Sequence, residues 1–438
     1  MKPKNELETK RQDELFKPRF ELFIDLKHPL VAMAKKIDWS YFDQEFGASF
    51  DEKKGRPGLS TRLMVGLTYL KYLYDVSDDS VVSMFLENNY WQYFCGYEHF
   101  QTEFPCDSSS MTRWRKRVGE AGAEKILAAT LHLAHEFGFL KGQECERVIA
   151  DTTVQEKNIA FPTDAKLVTK MTEYLVNAAA ERGIALRQSY QRVNKHLLHK
   201  YSRYAHAKQF KRARRALRKL KTHLGRVIRD IDRKVPEFDE QLKEFMIQAR
   251  KILNQERNSE NKIYSIHEPK VDCISKGKAH TPYEFGCKAS IVVTAKNNWV
   301  IGAKAFNGNP YDGATLKPAI EQAEKITGIT VKESFVDKGY RGSAHHPDHV
   351  RVFLSGRKNL PPILKKLLKR RSSIEPIIGH LKSEHRLDRN RLKGTEGDAL
   401  NVILSGSSFN LKKIMNRIFF WLLALIKNLG PEPKFQPQ

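Results

Sequence analysis

Acidic residues are scarce relative to basic ones in this 438-residue chain: 51 Asp and Glu stand against 76 Lys and Arg, a net charge of +25 at pH 7. No fold follows from that imbalance. It favours a polyanionic partner, most simply nucleic acid, with an acidic membrane surface as the rival. Cysteine is sparse too. Cys95, Cys106, Cys145, Cys273 and Cys287 form no CxxC pair, which argues against a zinc knuckle or a thioredoxin-like motif. Five isolated thiols suit a reducing cytosol, where each fills apolar space, so a cytoplasmic location is expected. Long apolar runs are missing. The longest, residues 418–426, is far too short to cross a bilayer and is expected to pack as a C-terminal helix. The start, Met1-Lys2-Pro3-Lys4-Asn5-Glu6, lacks the apolar core of a signal peptide, and no membrane partner is expected.

What is present is enough for two or three domains, since 40% of the residues are hydrophobic and can build real cores. Residues 1–140 read as an all-α N-terminal domain. Leu59-Ser60-Thr61-Arg62 looks like a capped helix start, and Met64, Leu67, Tyr69, Leu70 and Leu73 recur at helical spacing behind it. Gly55-Arg56-Pro57-Gly58 is a basic turn before that helix. Pro105-Cys106-Asp107-Ser108-Ser109-Ser110 is a second break, where Asp or Ser can cap a basic helix carrying Arg113, Arg115 and Lys116. Short helices, polar breaks and a basic helix resemble a helix-turn-helix layout, which makes those three cations candidate DNA contacts. The plainer reading is a helical bundle with a basic outer face.

Residues 141–430 read as a mixed α/β domain with a long helical insertion at about 164–260. Residues 146–154 have the β-branched content and short length of a buried strand. In the insertion, Phe210, Ala213, Leu217, Leu220, Leu224, Ile228 and Ile231 follow steps of three and four, like a coiled-coil seam. From 192 to 234 there are 16 Lys and Arg and only two acids, Asp230 and Asp232, so phosphate contact by residues such as Arg214 and Arg215 is expected. A solvated basic face is the alternative. Strand signals resume at 283–293 and 299–306, joined by a hairpin turn at Lys296-Asn297-Asn298. A helix over 312–327, a strand over 329–337 and a short strand over 351–354 follow. Ser372 or Ser373 is a candidate cap for a helix carrying Glu375, with Pro376 in its first turn.

Three acids fall at informative places. Asp151 ends the apolar run Val148-Ile149-Ala150, Asp337 ends Ser334-Phe335-Val336, and Glu375 lies on the late helix. Two carboxylates at strand ends and one on a helix suit a pair of hard divalent cations acting on a phosphodiester, with Asp151 as the bridge between them. Each acid alone is more often a turn or cap residue. Glu375, Gly379 and Lys382 share a helix face, so Lys382 can reach a phosphate beside Glu375, although a plain surface lysine has the same spacing. Gly379 would admit a DNA backbone or a neighbouring strand. Asp312, at a loop-to-helix junction, is either a helix cap or a fourth acid. His345, His346 and His380 suit zinc more than Mg²⁺ and are read as surface or phosphate-contact residues.

On these residues the chain resembles a DDE transposase of the IS5 family, in the IS4-like group of insertion-sequence transposases. The resemblance covers most of the chain. It runs through the helical region at 58–119, Asp151-Thr152-Thr153, Gly308-Asn309-Pro310-Tyr311-Asp312, Val336-Asp337-Lys338-Gly339-Tyr340, and the spacing Arg371-x3-Glu375-x6-Lys382. It implies a ribonuclease-H-like catalytic fold in which Asp151, Asp337 and Glu375 hold Mg²⁺ or Mn²⁺, while Arg371 and Lys382 hold transposon-end DNA. It implies binding to terminal inverted repeats, hydrolysis to 3′-OH ends and joining of those ends to target DNA. A homodimer or larger synaptic complex, associated with the nucleoid, goes with that activity. The family pattern places a Tyr three residues before the Arg; here that position is Leu368, in a basic stretch that supplies charge instead. The rival readings are a ribonuclease-H-like nuclease without strand transfer, a catalytically idle DNA-binding protein, and an RNA binder using Tyr201, Tyr204 and Phe210 for stacking.

Overall fold

The structure is a computed structural model that describes residues 17–47, 58–256, 258–275, 282–356 and 361–429. The turn Gly55-Arg56-Pro57 and the start Met1-Lys2-Pro3-Lys4-Asn5-Glu6 lie outside the described residues. The chain divides into two compact units, one of residues 1–156 and 287–438, the other of residues 157–286.

The first unit opens with helices α1 (Pro29–Lys36), α2 (Trp39–Gly47), α3 (Thr61–Leu73), α4 (Asp78–Glu87), α5 (Asn89–Phe94) and α6 (Ser108–Glu136), followed by strand β1 (Arg147–Lys157). In α3 the residues Met64, Leu67, Tyr69, Leu70 and Leu73 are all buried, as their spacing predicts. Ser60 precedes that helix without making a side-chain cap, whereas Asp107 caps α6 by accepting from the Ser109 amide at 2.8 Å. The long α6 is broken at Gly119, where φ is +60°, a conformation that costs glycine nothing.

The second unit holds helices α7 (Asp164–Glu181), α8 (Gln191–His206), α9 (Phe210–Lys234) and α10 (Glu240–Asn254), then strand β2 (Asp272–Ser275). Leu220, Leu224, Val227, Ile228 and Ile231 of α9 close a core with Val168, Met171 and Leu175 of α7 and Leu242, Met246 and Ile252 of α10. The seam is thus the inner stripe of a local bundle and not one side of a two-helix coiled coil. Phe210 departs from the expected stripe and is 57% exposed. Both acids of the basic stretch are used internally: Asp230 accepts from the Arg187 amide and Lys234, and Asp232 from Arg250. Arg214, Arg215, Arg218 and Lys219 stay exposed, so the outer face of α9 is wholly cationic there.

After β2 the chain forms β3 (Tyr283–Thr294), β4 (Val300–Phe306), α11 (Asp312–Thr327), β5 (Glu333–Val336), β6 (Arg351–Leu354), α12 (Pro362–Arg370), α13 (Ile374–Glu384), β7 (Arg389–Asn390) and α14 (Gly394–Leu429). β2 pairs antiparallel with the opening residues 283–286 of β3. In the first unit β3 neighbours β1, with β4 antiparallel on β3 through the expected turn at Asn297-Asn298. β1, β5 and β6 are parallel, with Ile149 opposite Phe335 and Phe335 opposite Phe353. The sheet is therefore mixed.

Alternation along β1 sets up the site. Val148 and Ala150 face a core shared with α3, α6 and α11, while Ile149 faces the other, with Ile374, Ile377 and Leu381 of α13. On β5, Val336 faces the first core and Phe335 the second. By the same period of two, Asp151 and Asp337 fall on the α13 face. Sequence patterning missed β2 and α12, and it caught only the end of α14. There Ile418 is buried against the first core, while Phe419, Phe420 and Trp421 are exposed. Neither Ser372 nor Ser373 caps α13: Ser372 donates to the Lys369 carbonyl and Ser373 to Asn298 Oδ1.

Candidate active site

Asp151 sits within β1, its Oδ1 accepting from the Thr152 amide at 2.8 Å. Burial pushes its carboxyl up to about 6; the Thr152 amide opposes that, the Asp337 carboxylate adds to it, Arg371 opposes and Asp312 adds. Asp337 lies one residue past β5. Its Oδ1 accepts from the Gly339 amide at 2.6 Å and so caps the short 3-10 turn Lys338–Tyr340. A Cβ at Gly339 would lie 2.8 Å from that oxygen and 3.3 Å from Asp312 Oδ2, so glycine is what allows the two carboxylates to flank this turn.

Glu375, in the first turn of α13, is 63% exposed along its side chain. It reaches Asp151 only through a cation. Arg371 places Nη2 3.3 Å from Glu375 Oε1 and Nη1 3.7 Å from Asp151 Oδ2. A residue assigned to DNA by its sequence position is thus engaged with two of the three predicted acids. Lys382 is half-buried on the same helix, and a Cβ at Gly379 would meet nothing within 4 Å, so no protein element requires glycine there.

Asp312 is the first residue of α11, after Tyr311 at the cap position, and its side chain is not the cap. Its Oδ1 accepts from Thr152 Oγ1 and from Lys288 Nζ, each at 2.8 Å, and Lys288 also donates to the Pro310 carbonyl at 2.6 Å. Tyr340 is fully buried beside these acids; burial and the charges of Asp151, Asp312 and Asp337 hold its phenol well above the ordinary range. His346 Nε2 lies 2.8 Å from the Tyr340 carbonyl, the ring of His345 meets that of Tyr311, and His380 lies 2.6 Å from Glu384. Lys288 and Tyr340 escaped sequence reading. Tyr340 had a signal, as it follows Asp337 within a single turn; Lys288 had none, because only strand pairing brings β3 beside β1.

Three cations of the N-terminal region part company. Arg113 is exposed and donates to Ser109 Oγ at 2.7 Å, and Lys116 is exposed. Arg115 is buried, which corrects its reading as a DNA contact. Its Nη1 and Nη2 donate to the two carboxylate oxygens of Asp78 at 2.8 and 2.6 Å, and Lys71 joins the same acid at 2.8 Å. Burial pushes Lys71 down to about 8, while Arg115 and Lys71 together hold Asp78 below its ordinary value despite burial. The spacing Met111, Trp114, Arg115 marks the inward stripe of α6 and was the available signal.

The donors are all carboxylate oxygens, which suits a hard divalent cation. The half-buried Asp151, with Asp337 and Asp312, makes three acids near two cations, Arg371 and Lys288, and a further cation would relieve the excess. Among the described residues, no three His, Cys, Asp or Glu side chains are yet gathered closely enough to hold a metal ion. The donor set fits; Glu375 stands off with Arg371.

Two acids thus lie on one face of the mixed sheet, and a third lies on the helix that covers that face. Residues 18–117 match a Transposase domain (DUF772), and residues 223–411 match the Transposase DDE domain. Asp337 and Glu375 fall inside the second match, Arg113 and Lys116 inside the first, and Asp151 outside both. The chain is 48% identical over 199 residues to the uncharacterized protein ORF8 in the nfe locus of Rhizobium meliloti, across 45% of this chain and 96% of that protein. No solved structure matches it. Both matched domains are transposase domains and support a DDE transposase, a class whose partner is DNA and which typically uses divalent metals. Among the described residues no helix is long and apolar enough to cross a membrane.

Proposed function

We propose that the chain is an insertion-sequence transposase of the IS5 kind with a ribonuclease-H-like catalytic domain over 141–430 and a helical DNA-binding domain over 1–140. It binds terminal inverted repeats, hydrolyses DNA to 3′-OH ends and joins them to target DNA. The observation that carries this reading is the placement of Asp151 and Asp337 on the sheet face covered by α13, with Arg371 between Asp151 and Glu375.

Asp151 and Asp337 would hold Mg²⁺ or Mn²⁺, with Glu375 joining them once Arg371 turns to DNA. When bound, a pair of such cations supplies an activated oxygen nucleophile and stabilises the leaving oxygen. Asp337, fixed by the Gly339 amide, and Asp151, fixed by the Thr152 amide, present oxygens whose aim is set before substrate arrives. Arg371 and Lys382 hold the backbone of the transposon end. Arg113 and Lys116 on α6, and Arg214 and Arg215 on α9, neutralise further phosphates, so affinity falls steeply with salt. Arg115 has no part in this. The protein works in the cytoplasm, at the nucleoid, as a homodimer or larger synaptic complex, since two ends must meet.

The test is cleavage of a labelled duplex carrying the flanking element's terminal repeat, in Mg²⁺, by wild type and Glu375→Gln. Nicking at the repeat boundary by wild type alone supports the reading. Nicking without end joining favours a nuclease lacking strand transfer. Salt-sensitive binding with no cleavage favours an idle DNA-binding protein, and equal nicking by both proteins removes Glu375 from the mechanism.

A further inference from the structure

A continuous run of hydrogen bonds leads from β3 to the Asp151 carboxylate. Lys288 Nζ donates to Asp312 Oδ1 at 2.8 Å, Thr152 Oγ1 donates to the same oxygen at 2.8 Å, and the Thr152 amide donates to Asp151 Oδ1 at 2.8 Å. Three elements meet in it: β3 supplies Lys288, the N-terminus of α11 supplies Asp312, and β1 supplies Thr152 and Asp151. Lys288 is clamped at its other side by the Pro310 carbonyl, so the run starts from a fixed point. Asp312 Oδ2 remains, directed at the Gly339 turn that also carries Asp337.

Asp312 therefore touches the surroundings of both predicted strand acids, which Glu375 does not. A second, independent feature points at the same spot. Tyr340 is fully buried in van der Waals contact with the core, and its hydroxyl, beside Thr315, makes no well-formed hydrogen bond among the described residues. A buried phenol rarely stays so, because an unsatisfied buried donor costs about 1–3 kcal/mol. It faces Asp151, Asp312 and Asp337. A group entering among these acids, a metal-bound water included, would satisfy it.

We propose that Asp312 is a positioning residue of the acid site, which, locked by Lys288, holds Thr152 and through it aims the Asp151 carboxylate at the cation. The inference rests on the reading of Asp151 as a metal ligand. Groups that orient ligands without touching the metal change its affinity by roughly 10–100-fold when removed. Asp312 differs from a ligand in one checkable way. An Asn side chain offers an oxygen of the same reach, so it can still accept from Thr152 and Lys288, but being neutral it is a weaker ligand for Mn²⁺ than a carboxylate.

The experiment is Mn²⁺ binding by the full chain, followed by calorimetry, for wild type, Asp312→Ala, Asp312→Asn and Thr152→Val, with melting temperature recorded for each. The expected result is Asp312→Ala and Thr152→Val weakened at least about 10-fold and Asp312→Asn within about threefold of wild type. Asn as damaging as Ala overturns the proposal in favour of direct ligation. Unchanged affinity in Asp312→Ala, with only a lowered melting temperature, overturns it in favour of a structural role. Should Asp312→Ala fail to fold, Thr152→Val decides, and wild-type affinity there also overturns the proposal. Repeat cleavage by wild type is read separately: a protein that binds Mn²⁺ but never cuts sinks the transposase reading and leaves the affinity comparison intact, while a wild type that binds no Mn²⁺ overturns both.

Discussion

Arg371 stands between Asp151 and Glu375, 3.7 Å from one carboxylate and 3.3 Å from the other. The guanidinium fills, in the DNA-free chain, the electrostatic role that a cation would fill between the same acids. A DNA phosphate would draw the same guanidinium away from Glu375 and Asp151, so the two engagements compete.

Arg371→Ala is accordingly expected to act in opposite directions on two ligands. Mn²⁺ affinity of the DNA-free protein rises several-fold, because a repelling charge beside Asp151 is gone. Affinity for the terminal repeat falls, and the slope of its logarithm against the logarithm of salt drops by about one. Calorimetry and a salt titration read these separately. A parallel loss of both would show that Arg371 only maintains the fold.

Asp151 gives a pH prediction with a defined sign. Its carboxyl titrates near 6 in the folded chain against 3.8 for the free group, so between those values the folded state binds more protons than the unfolded one. Its contribution to stability is complete below about pH 4 and is lost as pH rises through 6. Asp151→Asn has no such charge to bury, so in metal-free buffer at pH 7–8 it should be more stable than wild type, by an amount on the order of 3 kcal/mol, with the difference vanishing near pH 4. Urea unfolding at several pH values checks this. The same variant should lose cleavage and keep end binding.

Gly339→Ala places a methyl group 2.8 Å from Asp337 Oδ1, the end of a side chain that can swing away. The fold should tolerate this with a change of about 1 kcal/mol or less, while the Asp337 carboxylate leaves its amide anchor. Cleavage falls by 100-fold or more because a carboxylate moved by an ångström no longer serves. Normal melting with normal cleavage would remove the Gly339 turn from the site.

Neighbours on α6 should behave unlike one another. Arg115→Ala removes both guanidinium bonds to Asp78 and leaves Lys71 as its partner, so it should cost roughly 1.5–3 kcal/mol. Arg113→Ala and Lys116→Ala should leave the melting temperature alone and weaken DNA binding about equally across sequences. Arg214→Ala with Arg215→Ala should reduce the salt slope by about two, again without loss of stability.

Much of this was legible along the chain because the signals are local. Val148-Ile149-Ala150 reads as a doubly buried strand, and each of those residues is fully buried. The turn at Asn297-Asn298 carries its own conformational preference, with Asn298 at φ +56°. The inner stripe of α9 repeats every three or four residues whatever it packs against. β2 was missed because four residues such as Asp272-Cys273-Ile274-Ser275 are a strand only through β3 beside them; α12 had a signal, since Leu364, Leu367 and Leu368 recur at helical spacing and pack on the second core, but its lysines and arginines read only as a basic stretch.

The order of strands and helices, the surplus of positive charge and the acids Asp337 and Glu375 at element ends belong to the sequence, because periodicity and residue type are properties of neighbours along a chain; Asp151, expected at a strand end, lies inside β1. Partnership is not. Arg115 and Arg371 look alike as basic residues on basic helices, and only the approach of α4 to α6 and of α13 to β1 turns one toward Asp78 and the other toward Asp151 and Glu375. Lys288 and Asp312 reached the site the same way, through packing that brings residues from β3 and the N-terminus of α11 within 2.8 Å of each other. Charge attracts whatever the fold sets beside it, and the fold is decided by apolar burial that those polar residues do not themselves encode.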